Sequence, residues 1–193
     1  GKLLSGFTGE HVGEPRLLIC LYDDPLLHVD IKFLTPDEFR FRVEDPVILY
    51  DTGDRLKNIL DSTKAKYPFP DYQWIEDRFW IWIHYVTTKI GRGELLEALD
   101  GVGFIRSIVL SPLLQIKNGD LPRGVRKVEM SLPAHDLTAL KKTIAAYDRD
   151  SILTALDASI EVYRDTRDTL SPGKLNWRKD AELKTMAYLQ IIK

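Results

Sequence analysis

An α+β fold, a small sheet followed by a helical bundle, is what this sequence predicts, on three observations. Leu27, Val29, Ile31 and Phe33 alternate with His28, Asp30 and Lys32, the period of a strand with one packed face. Residues 64–70 hold two prolines and no helical pattern, which marks a boundary between residues 1–63 and 71–193. Beyond it, Ile75, Phe79, Trp82, Ile83, Val86 and Ile90 recur at the three- and four-residue spacing of a helix that buries one side.

The elements follow in order. Residues 1–15, with four glycines and little periodicity, read as loop. Arg16 to Tyr22 and Leu26 to Leu34 form a hairpin around the turn residues Asp23-Asp24-Pro25. Thr35-Pro36-Asp37-Glu38 starts a short helix reaching about Phe41, Val47 to Tyr50 reads as a buried strand, and Arg55 to Ser62 as a helix. In the second part Asp71 caps a helix to about Gly91. A second runs from Gly93 to Leu110, where Ser111-Pro112 stops it, and residues 117–126 make a loop. Further helices span Pro133 to about Tyr147 and Arg149 to about Thr169. After a break at Ser171-Pro172-Gly173, a last one runs from about Leu175. Short connections between five helices favour an antiparallel bundle. The amphipathic run Leu183, Met186, Ala187 and Gln190 on the last helix suits packing within the chain or against a partner, so an oligomer is compatible with it.

Composition narrows the function classes. The chain has 193 residues, 44% of them hydrophobic and 29% charged, which is globular rather than disordered. A net charge of -2 recruits neither nucleic acid nor anionic membrane globally, so neither is an expected partner. The single cysteine, Cys20, forms no internal disulfide, which favours a reducing, cytoplasmic setting. No stretch of about 18 apolar residues stands out. The chain opens Gly1-Lys2-Leu3-Leu4 without methionine, so sequence upstream of it is expected.

Four local patterns can carry chemistry. Asp30 is an acid in mid-strand, flanked two residues away by His28 and Lys32. A carboxylate on a rigid strand can hold a divalent cation or accept a proton, while an ordinary solvent-facing strand looks the same. On the helix from Asp71, the stripe opposite the apolar one carries Gln73, Asp77, Trp80, His84 and Thr87. It reads either as an exposed Trp lining a ligand cleft, with Asp77 or His84 as general base, or as a helix packed on both sides. Lys89-Ile90-Gly91-Arg92 is a basic helix end that suits the last carbonyls and also suits triphosphate oxygens. Arg123, Arg126 and Lys127 around Gly124 form a basic loop compatible with phosphate or with plain solvation. Walker-type loops, a nucleophile elbow and metal-spaced histidines are absent from the sequence.

The segment Glu14-Pro15-Arg16 through Leu26-Leu27-His28-Val29-Asp30-Ile31-Lys32-Phe33, followed by Arg42-Val43-Glu44-Asp45-Pro46-Val47, resembles bacterial nucleotidyltransferases of the polymerase-beta-like superfamily. Phe79-Trp80, Tyr85 and Arg92 are spaced much as in the helical domain of aminoglycoside adenylyltransferases.

The resemblance implies that residues 1–63 are the C-terminal part of a nucleotidyltransferase domain with a mixed sheet, and 71–193 a helical acceptor-binding domain. It implies transfer of a nucleoside monophosphate from ATP or another NTP to a small-molecule hydroxyl. Asp30 is then the third acid, catalytic and a ligand of Mg2+. Asp77 is the base, and Trp80, His84, Lys89 and Arg92 bind substrate. The family's Gly-Ser turn and Asp-x-Asp pair have no match here: Asp23-Asp24 sits in a turn and Ser5-Gly6 is in reverse order. They are expected upstream of Gly1, in which case this chain alone is inactive. The rival expectations are a toxin-antitoxin nucleotidyltransferase component acting on protein or RNA, and a non-catalytic binding module.

Overall fold

The computed structural model describes every residue except Pro172 and Lys174. The architecture is α+β. The chain divides into two compact units, Gly1–Tyr67 and Pro68–Lys193, and the division falls inside the stretch 64–70.

The first unit holds a three-stranded sheet, β1 (Lys2–Gly9), β2 (Glu14–Asp23) and β3 (Leu27–Lys32), in the order β1-β2-β3. Both pairings are antiparallel, which corrects the expectation of a mixed sheet. Parallel neighbours need a crossover of a dozen or more residues, and the strands here are joined only by residues 10–13 and 24–26. β1 also corrects the reading of residues 1–15 as loop. Its pairing with β2 shifts register between Leu3 and Ser5 and again between Thr8 and Gly9, and such irregularities break the period of two by which a strand is recognised.

After β3, helix α1 (Pro36–Phe39) opens with a capping box: Thr35 Oγ1 accepts the Glu38 N–H, and the Glu38 carboxylate accepts the Thr35 N–H at 2.8 Å. Arg16 of β2 donates to both Glu38 oxygens, at 2.6 and 2.7 Å, tying this helix to the sheet. The buried strand expected at Val47 to Tyr50 is not one: Val47 is 84% and Leu49 94% exposed. Asp51 instead turns the chain into helix α2 (Arg55–Ser62), its carboxylate accepting the N–H groups of Leu56 and Lys57. Arg42 closes the unit, donating to Thr63 Oγ1 at 2.6 Å and to the Thr63 carbonyl at 2.8 Å.

The second unit is helical. Asp71 caps α3 (Tyr72–Gly91) by accepting the N–H groups of Gln73 and Trp74. Helix α4 (Leu95–Ile105) does not stop at Ser111-Pro112. It widens through one π turn, residues 106–110, and continues as α5 (Ser111–Lys117). A proline inside a regular helix removes a donor and collides with the carbonyl four residues back; the wider turn just before it relieves both. The resulting continuous helix, Leu95–Lys117, is long and apolar enough to cross a membrane, contrary to the sequence reading that divided it. Half of its most apolar window is buried inside the unit, as in a core helix of a globular bundle.

Four helices complete the unit: α6 (Val128–Ser131), α7 (Ala134–Lys141), α8 (Arg149–Leu170) and α9 (Lys179–Ile192). Helix α7 ends well before Tyr147, because Arg106 takes the Thr143 carbonyl at 2.9 Å and Asp148 already caps α8. Pro172 in the expected Ser171-Pro172-Gly173 break lies outside the described residues. The core joins Phe79, Ile83 and Ile90 of α3, Ile105 of α4, Ile152, Leu156 and Ile160 of α8, and Leu189 of α9. Met186 packs against it from α9, whereas Leu183 is exposed.

Gly101 on α4 allows its close approach to α3, since a Cβ there would lie 2.6 Å from Val86 Cγ2 in the core. Gly101→Ala is therefore expected to destabilise the chain by about 1–2 kcal/mol, overpacking exceeding the gain in helix propensity. Gly103→Ala, whose Cβ would meet nothing nearer than Arg106 Nη2 at 3.5 Å, is expected to stabilise it by up to about 1 kcal/mol. Urea unfolding of the two variants checks the opposite signs.

Glu38 carries a pH signature. The Thr35 N–H, then the Arg16 guanidinium, hold its carboxyl at about 2, below its ordinary 4.5. A carboxyl depressed on folding contributes stability that is complete above 4.5 and is lost as pH falls towards 2. The stability difference between the natural chain and Glu38→Gln should shrink across that window, which thermal melts at successive pH values measure.

Candidate functional site

On the sheet, the register puts Phe7, Ile19 and Asp30 in one row across the three strands, with Ser5, Leu21 and His28 in the next row on the same face. Ladder pairing on one side fixes the backbone of Asp30 while its side chain stays 54% exposed. His28 Nε2 lies 2.9 Å from Asp30 Oδ1, and Lys32 pairs instead with Glu14 at 2.6 Å. The opposite face, with Leu18, Cys20, Val29 and Ile31, is the better covered one, and Cys20 is 2% exposed. Asp30 is thus a held, accessible carboxylate beside one imidazole. Among the described residues no group of three or more His, Cys, Asp or Glu side chains gathers as a metal site. The single acid here does not fit a two-magnesium centre, which takes three.

On α3 the stripe opposite the core is occupied by α9 and the segment leading into it. Gln73 Oε1 accepts the Asn176 N–H at 2.9 Å, and Asp77 Oδ1 accepts from Gln73 Nε2 and Arg178 Nε, each at 2.8 Å. Thr185 of α9 donates to the Trp80 carbonyl at 3.3 Å, and the His84 ring lies 4.9 Å from that of Tyr188. Trp80 is 1% exposed, which corrects the expectation of an exposed tryptophan. Its ring packs edge-on to Phe79 and Tyr163 and lies 5.5 Å from the Arg164 guanidinium. Its side chain therefore offers no face to a ligand. Gln73, then Arg178, hold the Asp77 carboxyl below its ordinary value, which makes it a weaker proton acceptor. The alternative of a helix packed on both sides is the one the structure contains.

The basic end of α3 is also engaged. Lys89 pairs with Glu94 at 2.6 Å and Glu97 at 3.0 Å, and these two carboxylates raise its pKa. Arg92 remains 64% exposed, with Glu94 at 3.8 Å. Of the residues on α3 and at its C-cap expected to act as base or substrate contacts, His84 and Arg92 are the exposed ones, and Tyr85 between them is 47% exposed.

The strongest polar arrangement in this unit escaped the sequence reading. Glu76 lies on the core side of α3, 1% exposed. Its Oε2 accepts from the Tyr163 hydroxyl at 2.6 Å, and its Oε1 accepts the Arg178 N–H at 2.9 Å. Arg167, also buried, lies 3.7 Å from Glu76, donates to Glu182 at 2.9 Å and covers the Trp177 ring at 4.3 Å. Burial, then the Glu76 carboxylate, push the Tyr163 hydroxyl far up, so it stays a protonated donor. An adjoining cavity of about 10 Å³, lined in part by Tyr163, Arg167 and Ser171, has room for about one water. The available signal was the position of Glu76 among Ile75, Phe79 and Ile83, since an acid on a core stripe must find partners.

Set against protein-family models and curated proteins, the sequence matches no family model and no curated protein.

The network makes a stability test. Arg167→Ala leaves Glu76 and Glu182 without their shared cation and is expected to cost about 3–5 kcal/mol. Tyr163→Phe removes one donor to a buried carboxylate and is expected to cost about 1–3 kcal/mol. If Arg167→Ala lost less than about 1 kcal/mol in urea unfolding, the buried acids would be satisfied in some other way.

Proposed function

We propose that this chain belongs to a nucleotidyltransferase-like protein that moves a nucleoside monophosphate from ATP, or another NTP, to a hydroxyl of a small molecule. The acceptor oxygen bonds to the α-phosphorus, the bond to pyrophosphate breaks, and the hydroxyl proton passes to a base. The observation that carries this reading is Asp30. It is an accessible carboxylate on a paired strand, inside the segment that resembles the polymerase-beta-like superfamily. A carboxylate so held suits the reaction because its position costs no further ordering when substrate arrives.

Magnesium is the cofactor this reading implies. Asp30 is one ligand for it, and the remaining acids are not gathered around it among the described residues. The reading gives the helical unit the acceptor. Asp77 and Trp80 are committed to the contact with α9 and the segment before it, so of the residues this reading assigns to the acceptor, His84 on α3 and Arg92 at its C-cap are the ones left exposed to meet it. The lone cysteine favours a reducing, cytoplasmic setting.

The protein as encoded, with any sequence that precedes Gly1, is to be incubated with ATP labelled at the α-phosphate, magnesium and separate panels of polyhydroxylated amines, protein and RNA. Label is expected on the small molecules, and Asp30→Asn should lower the rate at least about a hundredfold while leaving the melting temperature unchanged. Transfer that Asp30→Asn leaves intact would remove Asp30 from the chemistry. Label on protein or RNA alone would instead favour the toxin-antitoxin class, and no transfer at all would favour a binding module.

A further inference from the structure

The loop between α5 and α6 is held from beneath and carries its charge outward. Gln115, 2% exposed, accepts the Arg123 N–H with its Oε1 at 2.8 Å and donates to the Arg126 carbonyl from its Nε2 at 3.4 Å. Ser111, fully buried, donates to the Gly124 carbonyl at 2.5 Å. The chain turns through left-handed backbone at Gly119, Gly124 and Lys127, with φ of 81°, 63° and 60°. Two buried side chains thus spend their hydrogen bonds on fixing the path of a surface loop.

The loop borders a groove of about 340 Å³ whose lining includes Arg123, Arg126, Lys127 and Ser131, with Asp120 as the one acid among the described residues. Arg126 and Lys127 are exposed, and neither side chain makes a hydrogen bond or ion pair with the described residues. Some cations elsewhere in this unit have acidic partners, among them Lys89 with Glu94, Lys117 with Asp136, Arg164 with Glu182 and Lys193 with Asp157. Arg126 and Lys127 against Asp120, the one acid among the described lining residues, leave this groove positive in a chain whose net charge is -2.

We propose that this groove is a binding site for a small polyphosphate anion, two or three linked phosphate groups, with Arg126 and Lys127 as its principal contacts. The guanidinium presents parallel donors to two oxygens of one phosphate, and the ammonium serves as a movable point charge for the next. The volume is of the size that takes a small ligand, larger than a lone ion needs. The fixed loop keeps the two cations adjacent before the anion arrives, so little ordering opposes binding. The site stands independently of nucleotidyl transfer and of Asp30.

Calorimetric titration of the full chain with inorganic tripolyphosphate tests it. Binding is expected at low salt and should weaken as sodium chloride rises. Arg126→Ala combined with Lys127→Ala should weaken it at least about tenfold, the loss of one charge-assisted contact or more. Both side chains are exposed, so the melting temperature of that variant should match the natural chain. Lys184→Ala, on α9, should leave the affinity unchanged. Equal affinity in the double variant, or an equal loss in Lys184→Ala, would overturn the proposal. So would preferential binding of a single-stranded RNA oligomer that tripolyphosphate fails to displace.

Discussion

Glu76 is the constraint on which the helical unit depends. An acid with a 1% exposed side chain costs several kcal/mol to bury unless charge and hydrogen bonds compensate. The compensation comes from three groups far from Glu76 in the sequence: Tyr163 on α8, the Arg178 N–H just before α9, and the Arg167 guanidinium that also holds Glu182. Satisfying one carboxylate therefore brings the start of α9 against α3 and α8 and selects one arrangement of the three helices. Apolar burial supplies most of the favourable free energy, but it is not directional. The buried acid supplies the direction.

That arrangement decides what α3 can do. Once Arg178 is held at Glu76, its side chain reaches Asp77, and the adjoining Asn176 reaches Gln73. The polar stripe of α3 is then consumed by contacts to the segment that the buried acid recruited. Trp80 follows the same logic: its carbonyl receives Thr185 of α9, and its ring closes over Tyr163. The side chains that suggested a ligand cleft serve instead to hold the last helix.

The sequence reading saw the elements that rest on local rules. The Thr35 start of α1, the Asp71 cap, α2 and the β2 and β3 hairpin need only nearby residues, and they lie where pattern and turn chemistry put them. What it missed depends on distant partners. β1 has irregular register and becomes a strand only by pairing with β2. The π turn before Pro112 joins two segments that local rules separate. Val47 to Tyr50 satisfies the composition of a strand and lacks the neighbour that makes one among the described residues. Asp30 was legible as an exposed strand acid because alternation alone predicts its face. Glu76 and the fate of Trp80 were not, because a helical stripe does not say which neighbour will cover it.

The two units are held together by different physics, and this bears on where chemistry can reside. The helical unit has a continuous apolar core reinforced by one buried acid. In the sheet unit, Leu3, Phe7, Leu27 and Phe33 are each about half exposed, and the buried apolar side chains are Cys20 and Ile59. Its order comes instead from the ladders and from charged clasps: Arg16 on Glu38, Lys32 on Glu14, Arg42 on Asp45 and Thr63. Exposed ion pairs weaken with salt and with protonation, whereas apolar packing does not. A change of conditions therefore loosens the unit that carries Asp30 before the unit that carries Glu76. The function proposed for Asp30 thus rests on the less self-sufficient of the two units, and functional elements are in general drawn from the low-stability end of a structure.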